Sequence, residues 1–154
     1  MGTVSPYPWA PGFYPGDRPQ VVTTRFQYED SHTIERYHAT GGYEGLRKAL
    51  TMTPADVSDE VKKSTLLGRG GAGFPAGTTW GFMPQGVWPR YLVVNGDESE
   101  PGTYKDRLLM ERDPHQLIEG CAIAGFALGA NTTYIYIRGE YTVAARVLAE
   151  AIRD

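Results

Sequence analysis

The stretch Gly68-Arg69-Gly70-Gly71-Ala72-Gly73-Phe74-Pro75-Ala76-Gly77 decides how the rest of the chain is read. Five of these ten residues are glycine. Glycine loses more backbone freedom on folding than any other residue, so neither a helix nor a strand is expected here. Such a run is worth its entropy where bare main chain must come close to something or take positive φ. A flat or phosphorylated ligand lying directly on the backbone requires both. A plain flexible linker is the competing reading, but linkers carry serine and few bulky residues. Arg69, Phe74, Pro75 and, just beyond, Trp80 interrupt the glycines and favour a ligand bed.

Upstream, Thr53 is a good N-cap, Pro54 suits the first helical position and Asp56 suits the positive helix end. They predict a helix that runs to about Leu67 and stops where the glycines begin. This placement bears on Gly68, Gly70 and Gly73, which spell G-x-G-x-x-G. The dinucleotide fingerprint needs a strand before the motif and a helix opening on its third glycine. With a helix in front, the standard Rossmann phosphate loop is rejected. Farther upstream, a short helix is expected over about Tyr43 to Leu50 and a short strand over Val21 to Gln27. Residues 1–24 form a Pro- and aromatic-rich arm, with five prolines between Pro6 and Pro19 alongside Tyr7, Trp9, Phe13 and Tyr14. An extended arm lying against a surface is expected.

Downstream, Tyr91-Leu92-Val93-Val94-Asn95 reads as a buried strand ended by Gly96 and Asp97. Asp113, Pro114 and Gln116 open a helix with capping-box-like spacing, which runs to about Leu128 and is closed by Gly129. Being apolar on most sides, that helix is expected to be well buried. Thr133 to Ile137 is a second strand, and a final amphipathic helix covers about Glu140 to Arg153. Strand–helix–strand–helix order implies an α/β fold with a parallel sheet. Two strands are few for a doubly wound sheet, and the chain stops inside its last helix. That suggests the first half of a larger domain, and an open strand edge that invites aggregation.

Composition narrows the function classes. The 154 residues are 41% hydrophobic and 21% charged, as in ordinary globular domains. A formal net charge of −3 gives no footprint for nucleic acid. No stretch approaches the roughly 18 apolar residues of a membrane helix, and no secretory signal is visible. The single Cys121 can neither close an internal disulfide nor hold an iron–sulfur cluster alone, and it sits in an apolar run as a small buried hydrophobe. His32, His38 and His115 show no metal-ligand spacing, and His115 is placed on the surface.

In open parallel sheets ligands bind at the carboxyl ends of strands. There the first strand delivers Asn95-Gly96-Asp97-Glu98-Ser99-Glu100-Pro101-Gly102. Asn95 and Asp97 can hydrogen-bond a heterocycle that offers donors and acceptors. Asp97, Glu98 and Glu100 repel one another unless solvated or facing donors. A wet acidic turn is the ordinary reading of such a cluster, but the glycine run shortly before it favours a site. Lys105, Asp106 and Arg107 are expected to form local salt bridges.

Three segments carry a resemblance: Gly68 to Pro75, Val94-Asn-Gly-Asp-Glu-Ser-Glu-Pro-Gly-Thr-Tyr-Lys-Asp-Arg107, and Tyr134-Ile-Tyr-Ile-Arg-Gly-Glu-Tyr141. In residues and spacing the chain resembles, over roughly residues 25–154, the flavin-carrying NADH-binding subunit of respiratory complex I. This is the 51-kDa flavoprotein family, known in bacteria as the F subunit of NADH-quinone oxidoreductase. Related subunits of NAD-linked hydrogenases and formate dehydrogenases share the motifs.

The resemblance implies a partial Rossmann-like parallel sheet with flanking helices, the first half of an FMN/NADH-binding domain spanning residues 25–154. It implies that Gly68, Arg69, Gly70, Gly71, Ala72 and Gly73 wrap FMN. Asn95 and Asp97 match polar flavin contacts within the acidic segment that includes Glu98. Phe74 and Phe82 match aromatics that flank the NADH adenine, and Glu100 matches a catalytic carboxylate lining the nicotinamide side. Hydride would pass from nicotinamide C4 to flavin N5, with electrons leaving singly through a [4Fe–4S] cluster. Other peripheral-arm subunits of complex I, notably the 24-kDa (E-type) one, would be partners. The location would be cytoplasmic, peripheral on the inner face of the cell membrane without insertion.

Two departures from the family pattern stand out. Thr79 occupies the place of a family lysine just before Trp80. The second flavin segment and the cluster cysteines, which follow later in the family, are absent from this chain. The 154-residue chain alone is therefore expected to be inactive. A diaphorase subunit of a hydrogenase or formate dehydrogenase, and a non-catalytic assembly module that keeps the fold, are the alternatives.

Overall fold

The computed structural model describes residues 20–84 and 86–154. The extended arm expected up to residue 24 lies, as far as residue 19, outside the described residues. The architecture is α/β, a two-stranded parallel sheet with flanking helices. A 3-10 helix, Thr24–Gln27, comes first, followed by α1 (Ile34–Ala39), α2 (Glu44–Ala49), α3 (Pro54–Lys63) and α4 (Ala76–Gly81). Then come β1 (Tyr91–Gly96), α5 (Asp106–Arg112), α6 (Pro114–Leu128), β2 (Thr132–Ile137) and α7 (Thr142–Ala151). The elements form two compact units. One holds the described residues up to Gly42 together with Gly96–Ile118 and Ile137–Asp154. The other holds Tyr43–Asn95 and Glu119–Tyr136.

In the first unit, Tyr37, Met110, Ala144, Leu148 and Ala151 are the buried apolar residues, and α5 packs on α7. The strand expected over Val21 to Gln27 is instead irregular chain and a 3-10 turn. The β-branched residues have strand propensity, but among the described residues the only sheet is the β1–β2 pair, and this segment is not in it. Helix side chains take the carbonyls that a ladder would have used. Arg112 donates to Phe26 O (2.9 Å) and Tyr28 O (3.0 Å), and Gln116 donates to Val22 O (3.2 Å). Arg25 bonds Asp113 at 3.1 Å and Thr40 Oγ1 at 2.8 Å, with its guanidinium 4.3 Å from the centre of the Tyr37 ring.

His115, expected on the surface, is fully buried, with its ring 5.7 Å from that of Tyr37. The cause is α1, a helix for which the sequence carries no clear period. Thr33 caps α1 by accepting from Arg36 N, which brings Tyr37 onto the start of α6. Burial holds the His115 imidazole below its ordinary range, against the pull of the Asp154 carboxylate 3.8 Å away.

In the second unit, Thr53 caps α3 as expected, accepting from Asp56 N at 3.2 Å. The helix ends at Lys63 rather than near Leu67, because Thr65 turns the chain at φ 54°. The carboxylate of Glu119 accepts from Tyr43 N (3.0 Å) and Leu46 N (2.9 Å), closing the start of α2 from α6. Both strands lie where expected. Neither is fully buried: Leu92, Val94 and Ile135 are half-covered, while Tyr91, Val93, Tyr134 and Tyr136 are 53–65% exposed on alternate positions. One face of the pair is covered and the other is bare. In α6, Ala124 is buried but most residues beyond it are only half-buried, short of the expected burial. Gly129 closes the helix at φ 65°, with the Trp88 ring against its Cα.

Candidate functional site

The glycine run belongs to the second unit. Its neck is pinched shut by two backbone bonds, Gly68 N to Phe74 O (2.9 Å) and Ala76 N to Leu66 O (2.8 Å), with an antiparallel bridge at Leu67 and Pro75. The tip between these bonds is left exposed from Gly68 to Ala72. Gly73 takes φ 68°, which side-chain-bearing residues rarely adopt. A Cβ built on Gly70, Gly71 or Gly73 would meet nothing within 4 Å. None of these three glycines is therefore required by packing within the chain. The space above them is open, and a shape of this kind fits a planar ligand laid on main chain.

Gly77 is small for a different reason. Its Cα faces the backbone of α3, and a Cβ there would overlap Lys62. That contact seats α4, a helix hidden in the sequence behind glycine and threonines. α4 in turn carries Phe82 at its C-cap. Phe74 and Phe82 meet with ring centroids 6.2 Å apart, and both stay exposed, at 52% and 70%. Exposed aromatic pairs at that distance can receive a flat heterocycle. Thr79 lies on the same helix, its hydroxyl donating back to Pro75 O at 3.3 Å. Asn95, near the end of β1, is exposed within this unit.

A cleft of about 710 Å³ also opens in the second unit. Trp80, Phe82, Met83, Trp88 and Phe126 line it together with Lys62. Of the cofactor-binding residues that the resemblance implies, it includes Phe82 alone, together with Trp80 beyond the glycine run. Arg90 stiffens its rim, bonding Pro84 O at 2.6 Å and Leu128 O at 2.8 Å.

The acidic turn belongs to the first unit. Glu98 sits at φ 51° with its carboxylate folded onto the start of α5. It accepts from Lys105 N (2.5 Å), Asp106 N (2.6 Å) and Arg107 N (2.9 Å), and from the Tyr141 hydroxyl at 3.1 Å. Burial by itself pushes this carboxyl up, but the three amides and the phenol outweigh it and hold it below the usual carboxylate range. The Tyr141 phenol is pushed up by burial and by the same Glu98 carboxylate. The charge crowding of the turn is thus relieved by donors at Glu98. Asp97 is half-buried, while Glu100 is exposed. The Glu100 carbonyl is held by Thr103 through Oγ1 (2.7 Å) and N (3.3 Å). The expected salt bridges occur as Lys105–Asp106 at 2.6 Å and Arg107–Glu111 at 2.8 Å. Tyr141 carried no assigned role in the sequence, although it closes the third matching segment.

Among the described residues, no group of three His, Cys, Asp or Glu is placed to hold a metal ion. No described helix is long and apolar enough to cross a membrane.

Residues 61–154 match the protein family described as the Nuo51 FMN-binding domain. The F subunit of NADH-quinone oxidoreductase from Aquifex aeolicus is 50% identical over 148 residues, 96% of this chain and 35% of that protein. The corresponding F 2 subunit of Rhizobium meliloti is 55% identical over 136 residues, 87% of this chain and 32% of its own length. The HndC subunit of the NADP-reducing hydrogenase of Solidesulfovibrio fructosivorans is 46% identical over 136 residues, 88% of this chain and 28% of that protein. The chain spans about a third of the length of these curated relatives.

Proposed function

Because the chain belongs to the Nuo51 FMN-binding domain family, we propose that it supplies the FMN- and NADH-binding segment of the F subunit of an NADH-quinone oxidoreductase. The observation that carries this reading is the glycine loop, pinned at its neck and open above Gly70, Gly71 and Gly73. Gly68 closes the neck through its N–H, and the main-chain N–H groups from Arg69 to Gly73, with the Arg69 side chain, are the groups for the flavin and its phosphate. Asn95 and Asp97 supply polar contacts to the flavin ring. Phe74 and Phe82 receive the adenine of NADH. Glu100, exposed on a turn that Glu98 braces, is the carboxylate assigned to the nicotinamide of NADH. FMN, when bound there, would supply the redox chemistry of the hydride exchange with NADH. The chain's own work is to lay the rings flat, fix their separation and keep competing water out.

In the whole protein the electrons would continue to iron–sulfur clusters and quinone, in a peripheral arm shared with a 24-kDa (E-type) partner on the cytoplasmic face. A second reading, the diaphorase subunit of a hydrogenase, has its support in the likeness to the NADP-reducing hydrogenase protein.

The test is a chimera in which this segment replaces the matching third of the Aquifex aeolicus relative. A yellow protein that reduces ferricyanide with NADH is expected, while the 154-residue chain by itself stays colourless. A chimera that folds without retaining FMN would overturn the reading.

A further inference from the structure

We propose that Tyr141 is a positioning residue. Its hydroxyl, bonded to Glu98, holds the acidic turn in the shape that presents Glu100 to NADH. The proposal rests on the functional reading above and assigns a role to a residue that reading leaves idle.

The turn is an improbable shape for its sequence. Within seven residues, Glu98 (φ 51°), Gly102 (φ 84°) and Tyr104 (φ 47°) all take left-handed backbone, and only one of them is glycine. Such conformations persist where surrounding bonds over-determine them. Three of the bonds on Glu98 are internal to the segment, from Lys105, Asp106 and Arg107. They fold the turn onto the start of α5, the helix that directly follows it. The bond from Tyr141, 43 residues away at the N-cap of α7, reaches the turn from a separate element. The Tyr141 ring is itself steadied by the Arg107 guanidinium, 5.8 Å from its centre. Glu98 thus joins the start of α5 to the start of α7, and Glu100 rides two residues along from that joint. Glu100 is exposed, and its own carbonyl is held only by Thr103 within the same turn.

Removing the hydroxyl should leave the fold standing and let the turn breathe. Tyr141→Phe keeps the ring, and with it the Arg107 contact, while deleting the one bond at issue. In the 154-residue chain, amide hydrogen exchange at Lys105, Asp106 and Arg107 should quicken about tenfold, the loss expected for one charge-assisted hydrogen bond. In the FMN-loaded holoprotein, the KM for NADH should rise about five- to tenfold, with kcat within about twofold and flavin content unchanged. The double variant Tyr141→Phe with Glu98→Ala should be no worse in KM than Glu98→Ala alone, because without an acceptor at position 98 the hydroxyl has lost its partner there.

Unchanged KM and exchange in Tyr141→Phe overturn the proposal. So does a rise in KM that comes only with loss of flavin or of thermal stability, since that marks a structural role. Additive effects in the double variant overturn it as well. A wild-type chimera that holds no FMN fails at an earlier point: it removes the reading of the site and the proposal together.

Discussion

The glycine loop and the acidic turn solve opposite problems. In the loop, four of residues 68–73 are glycine, and much of what is offered is backbone, secured at the neck and bare at the tip. In the turn, three carboxylates crowd four positions, and one of them, Glu98, is spent on holding the others. In the function proposed above, the loop offers recognition by main chain and the turn recognition by side chain. The loop is stiffened by backbone bonds at its neck, the turn by a side chain folded onto backbone amides. A residue's chemical type therefore does not announce its role: Glu98 and Glu100 are alike in sequence and opposite in use.

The contrast can be broken most severely at glycine. Gly77→Val should abolish folding of the second unit, since its side chain must enter the α3 backbone at Lys62, an overpacking that costs about 3 kcal/mol or more. Circular dichroism should show the loss of helix. Gly70→Val should do the reverse: helix content stays, because the space above Gly70 is open, while flavin absorbance in the chimera falls by at least about tenfold. A yellow Gly70→Val protein would mean the loop is not the flavin bed. Those two glycines, seven positions apart, thereby separate packing from binding.

Glu98→Gln should lower stability by about 1 kcal/mol after allowance for solvent screening, read as a shift in urea midpoint. The sign with pH follows from the folded-state groups. Glu98 is held below its ordinary value, so its contribution is present above about pH 4.3 and is lost as pH falls through the lower folded value. His115 is a base held below its ordinary value by burial. Its neutral form is the folded form, and stability declines as pH drops below about 6.5. Urea midpoints should thus fall in two stages on acidification, and His115→Gln should flatten the first. A first stage unchanged by that substitution would assign it to another group.

The smallest effect is expected at Thr79. Restoring a cation there by Thr79→Lys should tighten binding of a phosphate-bearing cofactor by about threefold, measured by FMN titration at two salt concentrations.

Much of the fold was legible because its signals are local. Thr53-Pro54 marks the start of α3, Gly129 the end of α6, and the runs at 91–96 and 132–137 the sheet. What escaped was written in distant partners. The strand propensity of Val21 to Gln27 lost to Arg112, 84 positions beyond Tyr28. His115 was buried by α1, whose six residues are too short to show a period. α4 hid behind Gly77, whose purpose is visible only with Lys62 beside it. In the site, the motifs pointed to the loop and the acidic turn, but periodicity could not tell Glu98 from Glu100. That distinction needed Tyr141, which lies on the far side of a strand and two helices in the chain.

The described segment from Thr24 to Tyr28 is moored by guanidinium groups and has no fully buried apolar side chain. Arg112 holds the carbonyls of Phe26 and Tyr28, and Arg25 reaches Asp113. A mooring of that kind is directional and nearly free of buried hydrocarbon, so peeling it away exposes little apolar surface and adds little to the heat capacity of melting. Calorimetry would then barely register its departure, while a protease that cuts near Tyr28 would report it at once.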